Sequence, residues 1–266
     1  MNNDVPSTST PDTTLFAGRT AIVTGAARGL GLSMARALAQ HGADIALFDR
    51  LDTVEQSAVD LAAETGVRTV GVTADVTDPS SIEAALDRVA DTLGVATVLV
   101  NSAGITSGAS ALDTSLEQWS AVIGVNLTGT FLVSQAYAAR VIRASESATI
   151  VNISSMSAAI VNVPQTQTPY NVSKAGVSML TKSLAIEWLP QGIRVNGIAP
   201  GYFASDMTRD FVAANPEMAN EWVSKIPAGR MGEPHELGEL LVYLASERSR
   251  YVVGQNIPID GGYTII

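Results

Sequence analysis

Arg19-Thr20-Ala21-Ile22-Val23-Thr24-Gly25-Ala26-Ala27-Arg28-Gly29-Leu30-Gly31 is the stretch that decides the fold. Its first half is a short run rich in apolar and β-branched residues, the composition of a buried strand. Its second half spaces glycines at 25, 29 and 31 and opens the segment Leu30 to His41, whose apolar residues recur with a helical period. Gly25 permits a tight exit from the strand, Gly29 lets the backbone approach a pyrophosphate, and Gly31 allows close helix–strand packing. The turn from Gly25 through Arg28, Gly29 and Leu30 to Gly31 is therefore read as the phosphate cradle of a dinucleotide, facing a helix N-terminus with its free N–H groups and positive dipole.

Working outward, strand-like runs recur at Asp44 to Phe48, Arg68 to Thr73, Thr97 to Asn101, Thr149 to Ser154, Arg194 to Ile198 and Asn256 to Ile259. Between them lie helical spans such as Ser80 to Leu93, Leu116 to Ala144, Tyr170 to Leu189 and Glu236 to Ser246. Strand followed by helix, repeated, gives parallel strands with right-handed crossovers and helices on both faces. The expectation is an α/β chain with a single doubly wound, Rossmann-type parallel sheet. Residues 1–17, rich in Ser, Thr, Pro and Asp, read as a flexible tail, and 18–266 as one dinucleotide-binding and catalytic domain.

Composition closes several other routes. The chain has 266 residues, 46% of them hydrophobic, enough to bury a full core. Polar residues break every apolar run before the ~18 residues of a membrane span. No basic, apolar leader opens the tail, so the expectation is a soluble, cytoplasmic protein. A net charge of −10 with only Lys174, Lys182 and Lys225 as lysines disfavours nucleic acid. With no Cys, thiolate chemistry and cysteine-ligated metals are excluded, and no metal centre is expected. His41 and His235 stand at a helix end and a helix start, where capping suits them better than catalysis. Chemistry must then rest on Ser, Tyr, Lys, Asn or carboxylates.

Asp49 ends the second strand 18 residues past Gly31. There its carboxylate can accept from ribose hydroxyls and would repel a 2′-phosphate, which favours NAD over NADP. Arg28 and Arg50 pull the other way, since either can reach a 2′-phosphate. Tyr170 and Lys174 are four apart, on one face of a helix. An ammonium near the phenol is expected to lower its pKa from ~10 toward the range of a useful base. Ser154 and Ser155 end the fifth strand at the carboxyl edge of the sheet, where a hydroxyl can hold a substrate oxygen.

These residues in order, Thr24-Gly25 to Gly31, Asn101-Ser102-Ala103-Gly104, Asn126, Ser155, Tyr170-x-x-x-Lys174 and Pro200-Gly201, resemble the short-chain dehydrogenase/reductase family over about residues 18 to 263. The resemblance implies Tyr170 as general acid/base, and Lys174 as the tuner of its pKa and a binder of the nicotinamide ribose. It makes Ser155 the oxygen-positioning group, with Ser154 as fallback, and Asn126 the holder of a water leading from Lys174 to solvent. It further assigns Asp75 and Val76 to the adenine, Asn101, Ala103 and Gly104 to the ribose and sheet edge, and Pro200, Gly201, Phe203 and Ser205 to the nicotinamide side. A homotetramer is implied as well. Ser102 departs from the family's usual Asn, and Ser205 stands where a threonine is common. The 15 residues from Ser155 to Tyr170 are two more than many members have, which bears on the substrate loop.

Met156 to Thr168 carries no charge, and its Ser, Thr, Asn and Gln suit a small neutral hydroxylated substrate or simply cap a surface loop. Ile160-Val161-Asn162, Pro164-Gln165, Glu187-Trp188 and Asp260 to Thr264 are similar to the galactitol- and threitol-type polyol dehydrogenases of this family. Tyr202 to Gly232 reads as a lid with an apolar face of Phe203, Met207, Phe211, Trp222 and Ile226. The expected activity is NAD-dependent oxidation of a secondary alcohol, a sugar alcohol such as threitol or galactitol. The alternatives are a 3-oxoacyl- or steroid-type NADP ketoreductase and, more remotely, a non-catalytic dinucleotide sensor.

Overall fold

Thr20–Thr24 (β1) is followed by Gly29–Gln40 (α1), Asp44–Asp49 (β2), Val54–Thr65 (α2), Thr69–Thr73 (β3), Pro79–Leu93 (α3) and Ala96–Asn101 (β4). The second half runs Leu116–Ile123 (α4), Thr130–Ala144 (α5), Ala148–Ile153 (β5), Thr168–Trp188 (α6), Ile193–Pro200 (β6), Pro216–Ser224 (α7), Pro234–Ala245 (α8) and Asn256–Ile259 (β7). This computed structural model describes residues 11–205 and 215–266. All seven strands pair in parallel, in the order β3-β2-β1-β4-β5-β6-β7. The doubly wound α/β sheet expected from the sequence is thus present.

The sheet is buried on both faces, which is why its strands read as continuous apolar runs. Successive side chains of β1 go to opposite sides. Ala21 and Val23 join Ile45, Leu47, Val98, Val100 and Val151 against α1 and α8, whereas Ile22 joins Ala46, Phe48, Leu99, Ile150 and Val195 against α3, α5 and α6. Chain order reverses at β1, which has β2 on one side and β4 on the other, so a crevice opens at the carboxyl ends of β1 and β4.

Helix ends follow the local sequence. Asp78 caps α3 through Ser80 N–H, and Ser115 with Gln118 forms a capping box on α4. The span Leu116 to Ala144 is helical throughout but not uniformly α, because Gly124–Gly129 is a π-turn between α4 and α5. His41 terminates α1 with its ring on the Ala37 carbonyl, and His235 lies in the first turn of α8, the end positions expected for both. Packing reaches further toward the N-terminus than residue 18. Phe16 is fully buried, its N–H donates to His41 O, and Asp12 pairs with Arg248, so at least Asp12 to Ala17 is part of the folded body.

Candidate active site

The crevice at the switch point is built by the glycine turn. Gly25 has φ +65°, and a side chain there would press on the Ala103 backbone at 2.7 Å, so the loops after β1 and β4 touch directly. Thr24 Oγ1 fastens them, accepting from the N–H groups of Ser102 (3.0 Å) and Ala103 (3.1 Å). A Cβ on Gly31 would collide with the Gly25 carbonyl, which is the close packing expected of that glycine. Gly29, at φ +63°, has open space on the side where a Cβ would project. The N-cap of α1, Arg28, makes no side-chain cap and no acidic residue stands in the first turn, so the N–H groups there face the cleft uncompensated. An open backbone cradle at a helix N-terminus fits a pyrophosphate.

Asp49 closes the far side of that cradle. Its Oδ2 accepts from Ala27 N–H and its Oδ1 from Leu51 N–H, both at 3.0 Å, which aims the carboxylate along the glycine turn. Arg28 and Arg50 are exposed beside it, and neither makes an ion pair among the described residues. Asp75 accepts twice from Thr77, through N–H and Oγ1, which holds its carboxyl below the usual range. Val76 is buried and packs where a side chain on Gly129 would lie.

Two assignments shift in emphasis. The Asn101 amide turns inward, donating to Ser134 Oγ (2.8 Å) and Asn152 Oδ1 (2.9 Å), so only its backbone is left to face the cleft. Phe203 is buried with its ring in the core, against Gly232, so its backbone is what remains for the nicotinamide side the sequence assigned to it. Pro200 ends β6, Gly201 packs on the Asp260 backbone, and Ser205 is buried at the edge of the described residues.

Across the crevice, β5 and α6 bring the expected trio together. Ser155 follows β5 in extended conformation, and its hydroxyl accepts from Ser157 N–H (3.1 Å). Ser154 is committed elsewhere, donating to the Lys174 carbonyl (3.1 Å) and bonding Ser178 (3.0 Å). That leaves Ser155 as the hydroxyl of the pair set beside Tyr170. Tyr170 and Lys174 share one face of α6, with Nζ 5.6 Å from the phenol ring centroid and donating to Ile153 O (2.8 Å).

Burial pushes the Tyr170 phenol up, and a hydrogen bond with Ser155 opposes it. Burial also pulls Lys174 down to about 8. The expected lowering of the phenol by the ammonium is therefore outweighed here, because Nζ is turned to a carbonyl and both groups are desolvated. Asn126 sits in the π-turn, fully buried. It accepts from Ile105 N–H (2.8 Å) and donates to Ile105 O (2.9 Å) and Ser173 Oγ (3.0 Å). The Cβ position of Gly104 lies 3.4 Å from Asn126 Oδ1 and 3.5 Å from Lys174 Nζ, so these two groups face one small space.

Sequence reasoning missed Ser173, which donates to the Tyr170 carbonyl (2.7 Å) and so joins Asn126 to the first turn of α6. Its place three residues after Tyr170, on the same helix face, was the available signal. It missed the pairing of the loop amides as well. Gln167 donates to Ser157 Oγ (3.2 Å) and Asn171 Oδ1 (2.9 Å), and Asn162 is buried. Of the apolar face read between 202 and 232, Phe203, Trp222 and Ile226 are buried, while Met207 and Phe211 lie outside the described residues.

A parallel sheet with a dinucleotide cradle at its switch point, faced by Ser, Tyr and Lys, defines an oxidoreductase of alcohols and ketones. A family model described as enoyl-(acyl carrier protein) reductase matches residues 25–264. The chain is 41% identical over 249 residues to galactitol 2-dehydrogenase (L-tagatose-forming) of Cereibacter sphaeroides, covering 93% of this chain and 96% of the relative. It is 39% identical over 260 residues to the ribulose-forming D-arabinitol 2-dehydrogenase of Candida tropicalis, covering 92% of each. A short-chain type dehydrogenase/reductase from Mycobacterium marinum superposes with a TM-score of 0.89 at 38% identity, over 96% of this chain and 99% of that one. The chain belongs to the short-chain dehydrogenase/reductase family, an NAD(P)-dependent family, and is a secondary-alcohol oxidoreductase.

Proposed function

We propose that this enzyme oxidises a secondary hydroxyl of a neutral polyol to the ketose with NAD, using Tyr170 as the general base. When bound, NAD would supply the hydride acceptor. Ser155 holds the substrate oxygen and steadies charge developing on it. Tyr170 takes the hydroxyl proton, and Lys174, facing the same space as Asn126, is the next group able to relay it. Lys174 also suits the ribose of the nicotinamide half, and Gly29, Leu30 and Gly31 suit the pyrophosphate.

The observation that carries the reading is the meeting at the carboxyl edge of the sheet of Ser155, which follows β5, with Tyr170 and Lys174 on one face of α6, where Ser155 acts to lower the phenol pKa. The uncharged loop after β5 and the names of the relatives, both 2-dehydrogenases of polyols, support the substrate class. Asp49 supports NAD. The exposed Val172, Met179 and Ile186, spaced by seven along α6, support association into a homotetramer.

Tyr170→Phe keeps the ring and removes the proton acceptor. Polyol turnover is expected to fall about 10³-fold, in the middle of the range for losing a general base. The NADH dissociation constant, read by fluorescence titration, stays within about twofold. Turnover retained by Tyr170→Phe overturns the assignment. Faster reduction of 3-oxoacyl or steroid ketones with NADPH than oxidation of four- to six-carbon polyols with NAD overturns the substrate class.

A further inference from the structure

A run of hydrogen bonds leads from Ser155 out of the cleft to α7. Ser157 N–H donates to Ser155 Oγ (3.1 Å), and Ser157 Oγ donates to Asn162 Oδ1 (2.5 Å). Asn162 Nδ2 (3.4 Å) and Gln165 Nε2 (2.7 Å) both donate to the Tyr202 hydroxyl. Trp222 Nε1, on α7, donates to Gln165 Oε1 (3.1 Å). The Tyr202 ring stacks on Trp222 at 4.4 Å and 10°, and meets Tyr263 edge-on at 5.6 Å.

The direction of these bonds is fixed by chemistry. The indole N–H of Trp222 can only donate, so Gln165 must show it the amide oxygen and give its NH₂ to Tyr202. In the arrangement present, Asn162 accepts from the Ser157 hydroxyl and gives its NH₂ to Tyr202. Turning the Gln165 amide over would set its NH₂ against the indole N–H and break that bond. Tyr202 therefore accepts from two amides. Burial holds its phenol up to about 12, so it stays protonated across the working pH range. Four separate parts of the chain meet here: the loop after β5, the turn after β6, helix α7 and the residues after β7.

We propose that Gln165 is a positioning residue for the alcohol: by joining Tyr202 to Trp222 it locks α7 against the loop after β5 and so fixes the substrate-side wall. This rests on the polyol dehydrogenase reading above. The dinucleotide cradle lies at β1 and β2, and none of its contacts runs through Gln165. The residue therefore bears on the Michaelis constant for the alcohol and not on dinucleotide affinity.

The test uses the full-length enzyme. Gln165→Leu, close in size but without polar atoms, is expected to raise the polyol KM about tenfold, the effect of leaving buried hydrogen-bonding groups unmet. kcat stays within about threefold and the NADH dissociation constant within about twofold. Tyr202→Phe keeps the stack on Trp222 and removes the shared acceptor, so it raises KM in the same sense. The double variant is no worse than the poorer single, because both changes break one latch. Gln165→Glu, whose carboxylate accepts from Trp222 and from a rotated Tyr202 O–H, restores KM to within about threefold of the starting enzyme.

An unchanged KM in Gln165→Leu overturns the proposal, as does an equal loss of dinucleotide affinity or failure of Gln165→Glu to rescue. If Gln165→Leu does not fold, Tyr202→Phe decides alone. Trp222 emission provides an arm that needs no substrate. In a Trp119→Phe/Trp188→Phe background, Gln165→Leu is expected to shift it to the red, and unmoved emission overturns the latch. Should the unaltered enzyme oxidise no polyol, the substrate reading falls, and the emission shift still tests the latch on its own.

Discussion

Lys174 is 5% exposed, and its ammonium meets a carbonyl instead of a carboxylate. Its folded-state pKa of about 8 lies below the 10.5 of the unfolded chain. Between those values the unfolded chain binds the extra proton, so stability rises with pH across that window, and below pH 8 the fold carries a buried cation. Lys174→Met removes that burden. It is expected to unfold at higher denaturant than the parent at pH 7, with an advantage of at most about 3 kcal/mol that shrinks as pH rises from 8 toward 10. Urea midpoints at pH 7 and 9.5 that differ equally between the two proteins would contradict this. The same desolvation explains why spacing alone misjudged the phenol. A separation of four residues shows that Tyr170 and Lys174 share a face, but not that Nζ turns to Ile153. Asp49 is simpler, because its position at the end of β2 was legible in the sequence and its proposed role follows from it. Asp49→Asn keeps an acceptor for Ala27 and removes the charge, so the ratio of kcat/KM for NADP over NAD should rise about tenfold, as Arg28 and Arg50 are left unopposed.

Among the elements, the strands were the most legible, because burial on both faces writes each as an apolar, β-branched run. Helix α2 was not read, since its buried stripe is only Val54, Ala58 and Leu61 in a polar segment. Helix α7 fell within the span read as a lid. The π-turn at Gly124–Gly129 left no trace in composition, because one widened turn changes neither hydropathy nor period by a visible amount. It nonetheless carries Asn126, whose amide clamps both backbone groups of Ile105. Asn126→Ala would leave the half-buried Ile105 N–H and C=O and the buried Ser173 hydroxyl without their partner and loosen the segment leading to α4. A loss of about 2 to 4 kcal/mol is expected from urea unfolding. Amides of Ile105 and Thr106 should exchange hydrogen faster, while those of β1 and β4 stay protected. Uniformly faster exchange would assign Asn126 to the core at large.

At the scale of the molecule, two features were legible to different degrees. The alternation of strands and helices prescribed a parallel sheet, and the position of the glycines marked its first crossover. The meeting of Asn162, Gln165, Tyr202 and Trp222 was not legible, because an amide in a loop pairs equally well with a ligand or with its own chain. The apolar line of Val172, Met179 and Ile186 on α6 has exposed neighbours in Leu116 and Trp119 on the adjoining α4. A patch of that kind is what self-association covers. Met179→Glu/Ile186→Glu is accordingly expected to lower the mass measured by light scattering from a tetramer to a dimer or monomer, and an unchanged mass would place the contact elsewhere.

Asp12 to Ala17 and the C-terminal turn of α1 lie together at the amino edge of the sheet, whereas Asp260 gathers Gly262 and Thr264 at the opposite edge, close to Tyr202. A bead, electrode or fusion partner coupled ahead of Asp12 thus stands behind the catalytic mouth and leaves it open to diffusing alcohol. The same cargo hung on Ile266 would crowd the entrance.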